Sequence, residues 1–399
     1  MAAYEISSEP KKSLQESIPL TDDVKRALEA RCYTINGIWA YGKYKGEWAT
    51  HSHQLPFNLD LSGTDVVDVT SLKHVQQLTL SCCKRIVDVS AFADSTIQGL
   101  SVGHCNNIVD VSPLTGVTTL TLDSCSRVTD ISALGDGCVE DLSLSGCEHI
   151  VDISGLGRSK TLKALYLLVC TGITNISALS TIATLRILWL SGNPEITDIT
   201  PIKDMALTEL HLGSCTGITD FSSLKESRGL EYLDVELCAN IVDVTPFGKI
   251  STLKKLSLNG CTGITNISPL FCHPTLETLD LRDCTDITDI RGLEQGCIRK
   301  LDLHGCRGIT DISLLGSSKS LETLNIGATS VSDISSLSHS NSLTTLYISR
   351  CDKITDVSSL NSCKTLINIY LSFNQREYSK LLVSKIVIYD DYIDRRRQI

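Results

Sequence analysis

The 399-residue sequence predicts an α/β repeat solenoid, in which short parallel strands stack into one sheet and brief helical turns connect them. Three observations support this prediction. A unit of mostly 22 or 23 residues recurs along the chain, each unit contains L-x-L, and in most copies a cysteine lies three residues after the second leucine. The segments LSLSGCEHIVDISGL at 142–156 and LDLHGCRGITDISLL at 301–315 contain all three features.

Each part of the repeat favours one local structure. The L-x-L segment alternates with a period of two, as a half-buried strand does. A glycine often follows, for example Gly146, Gly192, Gly260 or Gly305, and helps the chain leave the strand. In the segment that follows, I-T-D-I-S-x-L, the Asp can form an Asx-turn with its own backbone and the Ser or Thr can cap a short helical turn. The short period leaves room for 3₁₀ segments rather than a full α-helix.

The pattern resembles the leucine-rich repeat, L-x-x-L-x-L-x-x-N/C-x-L, over about four fifths of the chain. The resemblance implies a horseshoe with a parallel β-sheet on its concave face and short 3₁₀ or helical segments on its convex face. The motif C-x-x-I-T-D-I-S is similar to the repeats of trypanosomatid leucine-rich repeat proteins, including adenylate cyclase regulatory protein-like members. Some of those have an N-terminal zinc-binding RING domain, which we expect to be absent because the first 58 residues contain only Cys32. I-x-D-I-S-x-L is also similar to bacterial internalins, although the lack of a signal sequence disfavours an exported adhesin.

Most of the 17 cysteines occupy the same position of the repeat, where Asn193 and Asn374 can replace them. In leucine-rich repeats this side chain points into the solenoid, so we interpret it as a small buried filler with a weak S–H donor. The cysteines at this position are Cys83, Cys105, Cys125, Cys147, Cys170, Cys215, Cys238, Cys261, Cys284, Cys306 and Cys351. The absence of C-x-x-C disfavours zinc, and we predict no metal and no cofactor. A redox-active Cys82-Cys83 pair and a metal site at His51-x-His53 are less favoured alternatives.

Aspartates form a second column, which we attribute to turn formation rather than to a calcium array, because the glycine-rich nonapeptide of calcium-binding solenoids is missing. The column comprises Asp68, Asp88, Asp110, Asp130, Asp152, Asp198, Asp220, Asp243, Asp289, Asp311, Asp333 and Asp356, with Asn175 and Asn266 completing it.

The concave face should expose the residue between the two leucines of each strand and its neighbours on the same face. This middle position changes from small hydroxyls in the early repeats to Tyr, Trp and His, and then to acidic residues. We predict that a protein or peptide partner binds there, with apolar side chains on the aromatic residues and basic side chains on the acidic ones. The predicted partner-binding residues are Tyr166, Leu168, Val169, Ile187, Trp189, His211, Tyr232, Asp234, Glu236, Asp280, Arg282, Asp302 and His304. The alternative is that the aromatic residues only stack on one another.

The two ends of the chain depart from the repeat. We predict a disordered tail at 1–17 and an N-terminal cap at 18–56, with a helix that starts at Thr21. About fifteen leucine-rich repeats should span 57–376, and residues 377–399 should form a C-terminal cap and tail with a helix and a final strand, IVIYDD. Caps are expected because a terminal repeat otherwise exposes its apolar core.

Composition narrows the function. The formal net charge of −10 disfavours nucleic acid as a partner. No apolar run reaches the ~18–20 residues of a membrane span, and the polar N-terminus has no signal peptide, so we expect a cytoplasmic or nuclear protein without membrane insertion.

No catalytic signature is present, although Cys82 with His104 is a remote enzymatic alternative. We therefore predict a non-enzymatic scaffold or regulatory protein whose partner binds the concave face, and make no prediction of its oligomeric state. The alternative function is a substrate-recruiting subunit of a ubiquitin ligase. That alternative follows from a resemblance to F-box proteins, which have cysteine-containing repeats, and from Ile18-Pro19-Leu20, which is faintly similar to an F-box start.

Overall fold

The computed structural model describes residues 21–31, 58–383 and 385–389. Within them lies one sheet of sixteen parallel strands, arranged in sequence order. We call each strand together with the connection that follows it a rung. The strands are β1 (Asn58–Asp60), β2 (Gln77–Thr79), β3 (Gly99–Ser101), β4 (Thr119–Thr121), β5 (Asp141–Ser143), β6 (Ala164–Tyr166), β7 (Ile187–Trp189), β8 (Glu209–His211), β9 (Tyr232–Asp234), β10 (Lys255–Ser257), β11 (Thr278–Asp280), β12 (Lys300–Asp302), β13 (Thr323–Asn325), β14 (Thr345–Tyr347), β15 (Asn368–Leu371) and β16 (Ile386–Tyr389).

Neighbouring strands pair with equivalent residues side by side. Leu165 on β6 pairs with Leu188 on β7, which pairs in turn with Leu210 on β8. Because side chains alternate along a strand, these leucines point into the core, and the residues between strand leucines point to the opposite face. The predicted α/β repeat solenoid is confirmed, and the face that carries the intervening residues is called the concave face below.

The strands are connected through 3₁₀ segments, as the short repeat predicts. In the described part of the chain these segments are Thr70–Leu72, Ser90–Phe92, Ser112–Gly116, Ser132–Asp136, Ser154–Arg158, Ser177–Thr181, Thr200–Ile202, Ser222–Glu226, Phe247–Lys249, Ser268–Leu270, Leu293–Gln295, Ser313–Ser317, Ser335–His339, Ser358–Ser362 and Phe373–Leu381.

The aspartate column forms turns, as predicted. In each of its fourteen members the side-chain Oδ1 accepts a hydrogen bond from the backbone N–H two residues later, at 2.7 to 3.0 Å. These bonds stabilise the ionised carboxylate, and at Asp88 and Asp130 the backbone bond is the main reason that the pKa is lowered.

The predicted capping by Ser or Thr is wrong. The residue that precedes the 3₁₀ segment is usually Val or Ile, for example Ile131 or Ile153, and its side chain makes no cap hydrogen bond. The Ser or Thr lies one position later, and its backbone N–H is already bonded to the aspartate. The aspartate, two residues before the segment starts, therefore satisfies the donor that a cap would have satisfied.

The cysteine column lies in the core, and its thiols bond the backbone. All eleven cysteines are buried, and each Sγ lies 2.9 to 3.4 Å from a carbonyl oxygen of the preceding rung. Asn193 donates from Nδ2 to the oxygens of Leu167 and Leu190 at 2.7 and 2.6 Å, which explains why Asn can replace Cys. Burial raises the pKa of Cys125 to about 12 and that of Cys215 to about 11, so these thiols stay protonated and unreactive at neutral pH.

Both ends carry additional elements. The helix α1 (Asp22–Arg31) buries Val24 and Ala27, and Thr21 before it lies within hydrogen-bonding distance of Ser71 in the first repeat. The rest of the predicted N-terminal cap, the predicted tail at 1–17 and His51-x-His53 lie outside the described residues. At the other end, β16 pairs with β15 and extends the sheet, as predicted for the first four residues of IVIYDD, and Asp390 and Asp391 lie outside the described residues. The helix predicted there is a 3₁₀ segment, Phe373–Leu381.

Candidate protein-binding surface on the concave face

An aromatic row crosses four consecutive strands of the concave face. Tyr166 and Trp189 meet edge to face with ring centroids 5.2 Å apart, Trp189 and His211 are 4.2 Å apart, and His211 and Tyr232 are 4.9 Å apart. The first three are the last residues of β6, β7 and β8, at the middle position between the two leucines of the repeat, and Tyr232 is the first residue of β9. The aromatic side chains therefore do stack on one another, as the alternative interpretation expected. They are not buried by this stacking, because Tyr166, Trp189 and Tyr232 remain partly exposed.

His211 sits between two carboxylates. Its Nε2 lies 2.7 Å from Glu209 Oε1, and its Nδ1 lies 3.1 Å from Asp234 Oδ2. Burial opposes protonation, but the hydrogen bonds to Asp234 and Glu209 outweigh it, so the pKa of His211 is raised. Trp189 Nε1 donates to the same Glu209 oxygen at 3.1 Å. Glu209 therefore holds both rings and fixes the orientation of the indole.

Two predicted partner-contact residues are not exposed. His211 and Asp234 are only 7% and 9% exposed, contrary to the expectation that every middle position faces solvent. The neighbouring Trp189 and Tyr232 rings and the Glu209 carboxylate cover His211. These two residues lie against the aromatic row and contribute little exposed surface.

The edge of the aromatic row carries exposed apolar side chains. Val169 is 49% exposed and Leu237 is 53% exposed, and Leu168 is partly exposed next to Val169. Val169 and Leu237 occupy the position where the chain leaves the strand, with φ of 54° and 57°. This left-handed conformation costs a non-glycine residue roughly 1–2 kcal/mol and is most unfavourable for a β-branched one.

Glycine in the next rung accommodates each of these side chains. A Cβ atom added to Gly192 would lie 3.0 Å from Val169 Cγ2, and one added to Gly260 would lie 2.6 Å from Leu237 Cδ2. The two apolar side chains therefore lie across the following rung. Glycines were predicted at this turn position, and Gly192 and Gly260 have φ of 79° and 71°.

The predicted acidic residues Asp280 and Asp302 end β11 and β12, and we call them, with Arg282 and His304 after these strands, the acidic rim. Arg282 is bound to Asp280, with Nε 2.8 Å and Nη2 2.6 Å from Oδ2, whereas its Nε is 3.9 Å from Asp302 Oδ2. Asp302 Oδ1 accepts the backbone N–H of His304 at 2.9 Å. Burial raises the pKa of Asp302 to about 6, with a further contribution from the charge of Asp280.

Between the aromatic row and the acidic rim, Glu236 and Asn259 follow β9 and β10. Glu236 donates its backbone N–H to Asp234 Oδ1 at 3.0 Å, and its side chain accepts a bond from Asn259 at 3.4 Å. Ile187, predicted to flank Trp189, is partly buried at the start of β7. The predicted residues thus lie on or directly after β6 to β9, β11 and β12, which belong to one sheet.

Sequence reasoning missed Glu209 and Lys255. Glu209 binds Trp189 and His211, and Lys255 Nζ lies 5.9 Å from the centre of the Tyr232 ring. Both are the first residues of their strands, two residues before the middle position. Tyr232, a predicted contact residue, occupies this same first position of β9. The spacing of two along a strand, which places Glu209 beside His211 on one face, was the signal that could have identified them.

The described residues include neither a metal cluster nor a membrane-spanning helix, but they include Cys82 and His104. No group of three or more His, Cys, Asp or Glu side chains suited to a metal ion occurs among the described residues. Cys82 and His104 both lie at the strand-exit position of successive rungs, with φ of 63° and 61°, and Cys82 is exposed. None of the helices in the described ranges has the length and apolar character needed to cross a bilayer.

Comparison with known proteins agrees with the architecture. A family model described as "Leucine Rich repeat" matches residues 272–290 and 339–358. No curated protein matches the chain in sequence. Among solved structures, an internalin from Listeria monocytogenes is 26% identical with a TM-score of 0.61, over 77% of this chain and 90% of that one.

Two more distant structures share the fold alone. A leucine-rich repeat protein from Leptospira interrogans is 17% identical with a TM-score of 0.52, over 83% of this chain and 95% of that one. The receptor chain in a TLR13–ssRNA13 complex is 18% identical with a TM-score of 0.51, over 77% of this chain and 52% of that one. The stacked parallel strands, the 3₁₀ connections and these likenesses together show that the chain has the leucine-rich repeat fold.

Proposed function

We propose that this chain is a non-enzymatic intracellular scaffold or regulatory protein that binds a protein partner on its concave face, centred on Tyr166, Trp189 and Tyr232. The observation that carries the proposal is the conformation of Val169 and Leu237. Each is an exposed, large aliphatic side chain held in a left-handed backbone conformation, at a position where the other rungs place glycine, a polar or charged residue, cysteine or alanine. Strain and apolar exposure both oppose stability, so a binding role accounts for them better than a structural one.

The rigidity of the aromatic row also supports binding. Glu209 fixes the Trp189 indole, and the neighbouring rings restrict its rotation. A side chain that is already ordered loses little conformational entropy when a partner binds, which favours affinity. Trp and Tyr are also the residues most often found at the energetic centre of protein interfaces.

Unpaired buried thiols support an intracellular setting. The described cysteines are free, and the column of buried thiols places neighbouring rungs' cysteines side by side without a disulfide. A reducing compartment would preserve this arrangement.

Nucleic acid, the ligand in the TLR13–ssRNA13 complex, does not suit this surface. Carboxylates flank the aromatic row here, including Glu209, Glu236, Asp280 and Asp302. They would repel a phosphate backbone, which basic proteins attract.

The more specific roles remain predictions. The match to leucine-rich repeats in general supports no particular regulatory role of the kind that resemblance to trypanosomatid proteins implies. The ubiquitin-ligase alternative depends on residues 18–56, of which the described part is residues 21–31.

Affinity capture with paired variants tests the proposed site. The tagged full chain is compared with Tyr166→Ala/Trp189→Ala and with the control Thr79→Ala/Thr121→Ala, which changes the same middle position on β2 and β4. We expect proteins bound by the wild type and the control to be lost from the aromatic double variant. Circular dichroism establishes that all three chains are folded. Identical sets of captured proteins would refute the proposed site.

A further inference from the structure

A narrow path leads from the aromatic row toward the acidic rim. Its floor on β10 is Ser257, a small residue that is almost buried. On one side Lys255 lies over the Tyr232 ring, and on the other side Asn259 bonds Glu236. Lys255 begins β10 and Asn259 lies two residues after its end, so their backbones are at most roughly 13 Å apart at ~3.3 Å per residue. Their side chains narrow this gap below the ~10–12 Å diameter of an α-helix, so the path suits an extended chain.

The far end of the path carries negative charge. The guanidinium of Arg282 pairs with Asp280, with its Nε and Nη2 2.8 and 2.6 Å from Oδ2. Its Nε lies 3.9 Å from Asp302 Oδ2, beyond hydrogen-bonding distance. Burial and the neighbouring Asp280 both disfavour the ionised form of Asp302 and raise its pKa to about 6. A second cation in contact with Asp302 would relieve both effects.

We propose that the partner docks as an extended segment that crosses the strands, with an aromatic or large aliphatic side chain on Tyr166 and Trp189 and an Arg or Lys on Asp302. This inference rests on the proposed function and specifies the partner's chemistry. From β7 to β12 there are five inter-strand steps of ~4.8 Å, or roughly 24 Å. An extended chain covers that distance in about seven residues. The apolar and basic residues of the segment are therefore about seven positions apart.

Selection of displayed random 16-residue peptides on the full chain tests the inference. We expect enriched peptides to share an aromatic or large aliphatic residue and a Lys or Arg about seven positions apart. A synthetic peptide of the enriched sequence is then titrated by fluorescence anisotropy against wild type, Trp189→Ala, Asp302→Asn and the control Asp141→Asn. Asp141 is a carboxylate on β5, outside the path. Asn at 302 should fold, because Asn325 occupies the equivalent position on β13.

Asp302→Asn should weaken binding about tenfold, as expected for loss of a charge-assisted hydrogen bond, and Asp141→Asn should leave it unchanged. Replacing the peptide's basic residue by Gln should cost the wild type the same factor and cost Asp302→Asn nothing further. Binding that depends on Trp189 but responds equally to both carboxylate variants would overturn this inference and leave the proposed function standing. Binding that is insensitive to Trp189→Ala would overturn both. Failure to enrich any peptide would refute the extended segment, while the capture experiment would still decide the proposed function.

Discussion

The rungs β2–β5 and β6–β9 have the same interior and very different surfaces. Their strand leucines are buried in the same positions, as are their cysteines, which Asn193 replaces in the rung of β7, and their strands pair in the same register. On the concave face, β2 to β5 carry only Thr and Ser at the middle position, whereas β6 to β8 carry Tyr, Trp and His. The difference separates two roles of the sequence: the core positions determine the fold, and the concave positions, which the fold leaves free to vary, determine what can bind.

The largest expected effect tests whether the two interiors are equivalent. Leu120 on β4 and Leu188 on β7 are both fully buried at the same position of the strand. Leu120→Ala and Leu188→Ala should each lower the free energy of unfolding by about 2–5 kcal/mol, because each leaves a cavity in a packed core. Urea denaturation followed by circular dichroism measures the change. Thr121→Ala, on the concave face, is the control and should change it by less than about 0.5 kcal/mol. A large loss in one region alone would show that the interiors differ.

A smaller effect should distinguish the strand-exit positions of the two regions. Val169→Gly should raise the free energy of unfolding by about 1 kcal/mol, because glycine adopts a φ of 54° without the strain of a β-branched residue. Ser124→Gly changes the equivalent position after β4, where φ is 57°, and should raise it less, since serine is not β-branched. Thermal and urea unfolding measure both. The same Val169→Gly protein should bind its partner more weakly, and a variant that is less stable than the wild type would contradict the assignment of strain.

The smallest expected effect is a pH dependence of the free energy of unfolding that arises in β6–β9. The pKa of His211 in the folded chain is raised above its ordinary value of 6.5. Protonated His211 therefore stabilises the fold fully at pH values below about 6.5, and this contribution is lost as pH rises through the raised pKa. Urea midpoints measured from about pH 6 to pH 9 should fall more for the wild type than for His211→Gln. His104→Gln, which changes a histidine after β3, is the control and should keep the wild-type decline. Parallel declines in all three proteins would refute the role of the Glu209–His211–Asp234 cluster.

Much of this architecture can be predicted from the sequence because it depends on local rules repeated in successive rungs. The period of L-x-L predicts the strands, and the aspartate column predicts turns that the backbone bonds from Asp88 or Asp130 then form. The role of the cysteines follows from their exchange with Asn193, which the bonds of its Nδ2 to two carbonyl oxygens explain. Each of these features involves residues close together in sequence or in equivalent positions of successive rungs.

The sequence alone determined the solenoid, its register and which residues share the concave face, because a fixed period places equivalent residues side by side. Only the tertiary structure decided which of those residues a partner can touch. Contacts between rungs bury His211 and Asp234 and place Glu209 where it holds the Trp189 indole. Within one rung, Arg282 pairs with Asp280 rather than with Asp302 on the next strand. The exposure of His211 and the orientation of Trp189 depend on side chains contributed by neighbouring strands, 20 to 23 residues away in the chain, and no single repeat contains that information.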